Sequence, residues 1–423
     1  MGAESPVKAL LITFSDDAGA AVYSINRLNP ESLCFFLPES AKSLVETAVQ
    51  PHIARMPRRW DWVVTLDAHH FMSSYQALAR ALPDMLRTWE IHPGELVVDL
   101  TGATPAMAAA VALAGVAHTS RVITLGQGGN PAPDKRADGE PILIEGQPRL
   151  WMQGNPWDEA AAQARHEGCD LFNHGAFGAA ASLFRQVEAR VSGGQKPLYH
   201  AFSDLAEGYG LWERFHHRQA WDKLRGATKA LDMASLWGGP PGLKSLLPAL
   251  KANAAFLERL VLDPQEVKET LAYELLAHAR RRAEVDHHAE AALATLLRAL
   301  EAFAQWQLFK QHGIKTWDVR PEQLPEALRE PCRTCYLDDV DGKYKLPLYS
   351  QFRALAGLGN QMGQGYLANW AKMKPLLDAA GQAVLGHGFE PVKPERFHQL
   401  CEIVMKVTGA NEAALPKFPT LTL

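Results

Sequence analysis

Short apolar runs separated by helix-like stretches mark the first part of the chain. The runs are Ala9–Phe14, Leu33–Phe36, Trp62–Leu66, Leu96–Leu100 and Arg121–Leu125. The stretches between them, such as Met72–Trp89 and Pro105–His118, have helical character. Apolar strands that alternate with helices are typical of a parallel sheet covered on both faces. The pattern therefore predicts a doubly wound α/β domain.

The pattern changes after this domain. Gly126–Pro141 is rich in glycine and proline and is predicted to be a loop, followed by one more short apolar run, Ile142–Glu145. From Trp157 onward the periodicity is helical, with further helices predicted over Tyr199–Leu231 and Glu266–Arg282. The clearest apolar stripe is formed by Leu293, Leu296, Leu297, Leu300, Phe303 and Ala304. We predict three domains: 1–150 (α/β), 151–262 (a helical connector) and 263–423 (a second helical domain).

Composition and charge exclude several classes of protein. The hydrophobic share of 47% and the charged share of 21% are ordinary for a soluble globular chain, and no apolar run is long enough to span a membrane. The N-terminus lacks the features of a signal peptide, and five scattered cysteines favour a cytoplasmic location. The net charge of −4 provides no global field for nucleic acid, so any RNA contact must be local.

Two strand ends carry residues suited to ligand binding, because open α/β sheets bind ligands at the carboxyl ends of their strands. Ser15, Asp16 and Asp17 follow the first run, and a turn of small residues from Asp99 to Met107 follows the fourth. Thr104 is predicted to cap a helix that has Pro105 at its first position. The free N–H groups of such a helix start suit a phosphate. An ordinary strand–helix turn stays open as the alternative.

The segment VVDLTGATPAMAAAVALAG (97–115) resembles the signature of CARF domains, D-x-T-G-G-T-K-x-M. Ala103 and Pro105 stand where glycine and lysine are usual in that signature. CARF domains are Rossmann-like and bind cyclic oligoadenylates made by type III CRISPR complexes, as dimers with the ring across the two-fold axis. The resemblance implies a ligand site formed by Ser15, Asp16, Asp17, Thr101, Gly102, Ala103, Thr104 and Met107. Lys135 and Arg136 are candidates for the missing positive charge.

Four segments of the helical part resemble a CRISPR-associated CARF–HEPN family. They are CDLFNHGAFGAAASLFRQVEAR (169–190), EGYGLWERFHHRQAWDKL (207–224), LLRALEAFAQ (296–305) and VLGHGFEPV (384–392). The resemblance implies an all-α connector and a HEPN-like helical effector domain after the CARF domain. It also implies a homodimer that is activated by cyclic oligoadenylate, cleaves single-stranded RNA without a metal or other cofactor, and has no membrane partner.

HEPN ribonucleases pair an arginine with a histidine across four to six intervening residues, and the chemistry explains the pairing. RNA is cleaved without a metal when its own 2′-hydroxyl attacks the adjacent phosphate. A histidine transfers the proton because its pKa lies near working pH. An arginine stabilises the additional charge on the phosphoryl oxygens.

The family-aligned histidine is His387, and Ala380 occupies the position of the motif arginine. The sequence leaves open whether the arginine was lost naturally or replaced deliberately. Arg298 and Arg353 are candidates to supply the charge from elsewhere in the chain. Because losing one such donor costs about 3–4 kcal/mol of transition-state stabilisation, we expect weak or absent ribonuclease activity. A purely structural His387, between two glycines, stays open as the alternative.

Other candidate motifs are weaker. Arg282 and His287 also have the right spacing, but so short a pattern arises by chance, and this one lies in a solvated charged run. Cys332 and Cys335 have CxxC spacing without a second pair of ligands at zinc spacing.

Several functional hypotheses therefore stand side by side. The leading hypothesis is a cyclic-oligoadenylate-activated ribonuclease that is impaired by Ala380. A second is a nuclease-inactive sensor, sink or regulator, and a third is a CARF domain that cleaves the ring itself. A dinucleotide-binding enzyme is disfavoured because no G-x-G-x-x-G follows the first strand.

Overall fold

The computed structural model describes residues 7–92, 94–115, 118–126, 149–152 and 155–423. These residues form two compact units. The first reaches His166 and includes Ser182–His200, and the second contains Glu167–Ala181 and Ala201–Leu423. The loop predicted after Gly126, the apolar run Ile142–Glu145, and both Lys135 and Arg136 lie outside the described residues. The predicted domain boundaries at 150 and 262 stay predictions.

A six-stranded sheet organises the first unit, in the order β3-β2-β1-β4-β5-β6. Its strands are β1 (Ala9–Thr13), β2 (Ser32–Pro38), β3 (Arg59–Thr65), β4 (Leu96–Asp99), β5 (Thr119–Gly126) and β6 (Arg149–Met152). The first five strands pair in parallel, and β6 pairs antiparallel with β5. The Rossmann-like prediction is confirmed, since each of the first five predicted apolar runs overlaps one parallel strand. The edge strand β6 was not predicted.

Helices cover both faces of this sheet. They are α1 (Ala18–Leu28), α2 (Lys42–Leu44), α3 (Phe71–Thr88) and α4 (Pro105–Gly115). Leu11 of β1 is buried in one core with Leu78 of α3, whereas its neighbour Ile12 is buried in the opposite core with Ile25 of α1. Because successive strand residues are buried on opposite faces, the strands are continuous apolar runs rather than alternating ones.

The remaining described chain is helical. The helices are α5 (Pro156–Asn173), α6 (Phe177–Arg190), α7 (Lys196–Glu213), α8 (His217–Leu236), α9 (Leu243–Leu262), α10 (Glu269–Glu284), α11 (Ala289–His312), α12 (Glu326–Cys335), α13 (Leu348–Gly357), α14 (Gln361–Ala368), α15 (Trp370–Gly381) and α16 (Pro394–Thr408). None of the helices in the described ranges is long and apolar enough to cross a membrane.

The prediction of one continuous helix over Tyr199–Leu231 is wrong. The chain turns between α7 and α8 at Phe215, which adopts a left-handed conformation with φ of 62°. The N–H of Phe215 donates to the carbonyl of Trp212 over 2.9 Å, and its ring lies 4.6 Å from the ring of His278. Neither glycine nor proline marks this turn, so no local pattern in the sequence predicts it.

Segment 415–423 contacts α5, α7, α9 and α10 within the second unit. Asn173 at the end of α5 accepts from the N–H of Leu421 over 2.7 Å and donates to its carbonyl over 3.0 Å. Asn253 of α9 donates to the carbonyl of Lys417 over 2.9 Å. The ring of Phe418 lies 4.6 Å from that of Tyr209 and 5.0 Å from that of Trp212. Four separate helices therefore hold this segment.

A buried charge cluster lies beneath Phe418. Arg281 of α10 donates to Glu213 over 3.0 Å and to the fully buried Glu274 over 2.8 Å, and its guanidinium lies 4.0 Å from the centre of the Phe418 ring. Burial alone would raise the pKa of Glu213, but the hydrogen bond from His278 and the charge of Arg281 hold it at about 2. Both carboxylates are thus bound to one guanidinium.

We expect Phe418→Ala to lower the free energy of unfolding by about 3 kcal/mol, because it removes an aromatic contact and opens the charge cluster to water. Urea denaturation measures the change. Trp237→Ala is the matched control, since Trp237 is 81% exposed and should change stability by less than about 0.5 kcal/mol. Equal losses of unfolding free energy in the two variants would contradict the role of Phe418 as the cover of the charge cluster.

Candidate functional site

The loops after β1 and β4 meet at the carboxyl edge of the sheet, where the strand order reverses. The hydroxyl of Thr13 donates to the carbonyl of Asp99 over 2.8 Å, and that of Ser15 donates to the carbonyl of Gly102 over 3.0 Å. A Cβ at Gly102 would lie 2.6 Å from the carbonyl oxygen of Thr13. Only glycine allows this approach, so Gly102 brings the two predicted ligand-binding segments together.

Thr101 braces the turn after β4. Asp99 is fully buried, and its Oδ1 accepts hydrogen bonds from the N–H and from the hydroxyl of Thr101. The hydroxyl oxygen of Thr101 in turn accepts from the N–H of Leu125 over 2.8 Å. Burial raises the pKa of Asp99, and the bonds from Thr101 offset this only in part. The Thr101 hydroxyl therefore donates one hydrogen bond and accepts another within the protein.

Thr104 caps α4, as predicted. The hydroxyl oxygen of Thr104 accepts from the N–H of Met107 over 3.2 Å, and its O–H donates to the carbonyl of Ala68 in the loop after β3. Met107 itself is fully buried in the sheet core. The structure thus places Met107 beneath the turn, while Thr104 and Ala103 remain partly exposed at the edge.

Two carboxylates lie at the same edge. Asp17 caps α1, because its Oδ1 accepts from the N–H of Ala20 over 2.9 Å. The Oδ1 of Asp16 accepts from the hydroxyl of Ser15 over 3.0 Å, and both aspartates are exposed. Carboxylates accept hydrogen bonds and repel anions, so this part of the edge suits hydroxyl or amine donors rather than phosphates.

A second constrained loop carries His387 after the end of α15. The N–H of His387 donates to the carbonyl of Gly381 over 2.8 Å, and the N–H of Gly386 donates to that of Ala383 over 2.9 Å. A Cβ at Gly386 would lie 2.4 Å from the carbonyl oxygen of Ala380, and one at Gly388 would lie 2.1 Å from that of Gln382. The two glycines therefore fix the backbone on either side of an exposed histidine.

Arg298 and Arg282 make their contacts away from His387. Ala380 is 5% exposed and belongs to the helical core. Arg298 donates to Glu301 over 3.4 Å and to Gln305 over 3.0 Å, and both partners lie on its own helix. Arg282 donates to Asp286 over 2.8 Å, so the chance match with His287 is part of an ion pair. None of the contacts found in the described residues joins an arginine to His387.

Metal ligands are not gathered in the described part of the chain, where no group of three histidine, cysteine, aspartate or glutamate side chains is placed to hold an ion. Of the two cysteines with CxxC spacing, Cys332 is buried and Cys335 is exposed.

Sequence analysis missed Glu290, which lies in the first turn of α11. Its Oε1 accepts from the N–H of Val392 over 2.7 Å, and its Oε2 accepts from that of Leu385 over 3.4 Å. Val392 is 102 residues away in sequence, and an acidic residue in a first helical turn is too common to indicate such a contact.

Comparisons with known proteins give a consistent result. Family models match the chain as a Csm6 6H domain over residues 161–257 and as a Csm6 HEPN domain over residues 264–411. The CRISPR system endoribonuclease Csm6 of Thermus thermophilus is 26% identical over 362 residues, covering 81% of this chain and 74% of that protein. The structure of Enterococcus italicus Csm6 bound to cyclic hexa-2′-fluoro-hexa-dAMP matches with a TM-score of 0.54 at 11% identity, covering 97% of this chain and 95% of that one. At this identity the structural match shows the fold.

We expect Gly388→Ala to displace the loop that carries His387, because the new Cβ would overlap the carbonyl of Gln382. Hydrogen exchange of residues 383–392, followed by mass spectrometry, should become faster. Gly381→Ala is the matched control, since a Cβ there meets nothing within 4 Å. Unchanged exchange in both variants would show that the close approach does not hold the loop.

Proposed function

This chain belongs to the Csm6 family of CRISPR-associated CARF–HEPN proteins, and from this premise we propose that it binds a cyclic oligoadenylate at the sheet edge and cleaves single-stranded RNA at the His387 loop. The observation that carries the proposal is the exposed His387 on a backbone fixed by Gly386 and Gly388. A proton-transfer group of this kind must be presented to substrate in a defined orientation.

The ligand proposal is supported by the chemistry of the sheet edge. Asp16 and Asp17 are suited to accept hydrogen bonds from ribose hydroxyls or adenine amines. Pro105 has no N–H and Met107 donates to Thr104, so the start of α4 offers a phosphate the N–H of Ala106 and the positive end of the helix dipole, where the CARF signature has a lysine. The side chains of Thr101 and Met107 hold the turn in shape, so we propose that they act on the ligand only through the backbone.

In the proposed RNA reaction, His387 accepts the proton of a 2′-hydroxyl while the 2′-oxygen forms a bond to the adjacent phosphorus. The bond from phosphorus to the 5′-oxygen breaks, and that oxygen takes up a proton. The products carry a 2′,3′-cyclic phosphate and a 5′-hydroxyl. No step in this reaction needs a metal.

We propose that two copies pair so that their His387 loops face each other. Val384, Leu385 and Phe389 flank the histidine and are 57%, 57% and 94% exposed. Apolar side chains so exposed around a functional residue favour an interface between protein surfaces. A two-fold axis would place the same patch of each copy against the other.

A sensor with little nuclease activity is the second candidate. Two observations favour it: Ala380 stands at the arginine position, and Arg298 is bound to Glu301 and Gln305. Without a donor to the developing phosphoryl charge, cleavage should be slower by about 10²–10³-fold than in an enzyme that has the arginine.

We expect this chain to cleave fluorescent single-stranded RNA slowly, in EDTA, and only with cyclic tetra- or hexa-adenylate. Ala380→Arg should accelerate cleavage by about 10²-fold or more. Ala380→Met is the matched control, because it adds similar bulk to the same core position without charge. No cleavage by any variant, together with tight ring binding, would replace the nuclease proposal with the sensor. Cleavage blocked by EDTA would contradict metal independence.

We expect Gly102→Ala to weaken ring binding by at least about tenfold in calorimetry, because the new Cβ would push apart the loops after β1 and β4. Gly226→Ala is the control, since a Cβ there, on α8, meets nothing within 4 Å. If neither the unmodified chain nor the control binds a ring, the sheet edge is not the ligand site proposed.

A further inference from the structure

Glu290 connects the start of α11 to both ends of the loop that carries His387. The loop from Leu385 to Val392 leaves the end of α15 and returns before α16. Glu290 accepts from the N–H of Leu385 at one end and from that of Val392 at the other, over 3.4 and 2.7 Å. One carboxylate therefore binds the backbone on both sides of the histidine.

The other N–H groups of this loop bond to the backbone that precedes it. Gly386 and Gly388 both donate to the carbonyl of Ala383, and His387 donates to that of Gly381. Glu390 donates to the carbonyl of Gln382 over 3.1 Å. These bonds tie the loop to the end of α15, whereas among the hydrogen bonds of the described residues only those to Glu290 tie it to α11. The contact with α11 thus fixes the direction in which His387 is presented relative to the helical core.

A carboxylate suits this position for two physical reasons. Bonds from N–H groups to a charged oxygen are stronger than bonds to a neutral one. A negative charge in the first turn of a helix is also favoured by the helix dipole. Within the described residues Glu290 forms no salt bridge, so its charge is directed to the two N–H groups.

We propose that Glu290 is a positioning residue for His387, which holds the loop in register with α11 without touching RNA. The inference rests on the proposed RNA cleavage. A displacement of about 1 Å at a reacting group is enough to reduce a rate by up to 10²-fold. Loss of the two hydrogen bonds to Glu290 should therefore lower kcat and leave KM nearly unchanged, because the substrate-binding surface stays in place.

The test compares Glu290→Gln with Glu395→Gln in the full-length chain. Glu395 lies in the first turn of α16 and is exposed, so the same change is made in a similar setting. In Glu290→Gln we expect faster hydrogen exchange at Leu385 and Val392 and a kcat about tenfold lower, with KM within about twofold. In Glu395→Gln we expect neither change.

The outcomes separate the positioning role of Glu290 from the proposed ribonuclease activity. Normal exchange in Glu290→Gln, or faster exchange with unchanged kcat, overturns the positioning role. An equal loss of kcat in both variants overturns it as well. Faster exchange in Glu290→Gln alone, with no RNA cleavage by the unmodified chain, supports Glu290 as the brace of the loop and counts against the proposed ribonuclease activity instead.

Discussion

The guanidinium of Arg281 is held between Glu213 of α7 and Glu274 of α10 beneath the ring of Phe418, and the second unit is organised around this contact. Removing one partner of such a buried pair typically costs about 3–5 kcal/mol, because a charge is left without compensation. Segment 415–423 therefore has a fixed partner on α10 as well as on α5 and α9. The charge cluster thus links α7 to α10 within the second unit.

Both candidate sites are shaped by close approach of backbone to backbone. At the sheet edge, Gly102 lies against the carbonyl of Thr13, and in the helical unit Gly388 lies against that of Gln382. In each case a side chain at the glycine would force two segments apart. Glycine thus acts here through close contact rather than through flexibility.

The sequence predicted the fold class well because two-sided burial leaves a direct mark on a parallel strand. Each of the five runs of apolar residues overlaps a strand. The break at Phe215 could not be predicted, since its left-handed turn depends on a ring contact with His278 from α10. The roles of individual side chains were harder to predict than the fold class. Thr101 and Met107 match a ligand-binding signature, yet their side chains stabilise the turn internally. Glu290 acts on backbone groups far away in sequence, where local patterns carry no information.

The paired hydrogen bonds between Asn173 and Leu421 join residues 248 positions apart. Contacts of such long sequence separation form late, because the entropy of closing the intervening loop must first be offset by local structure. The α5 end of the connector therefore waits for α10 and the helices that follow it before its last contacts form. Until then Tyr209 and Trp212 lack their contacts with Phe418, and apolar surface that stays uncovered during folding favours aggregation.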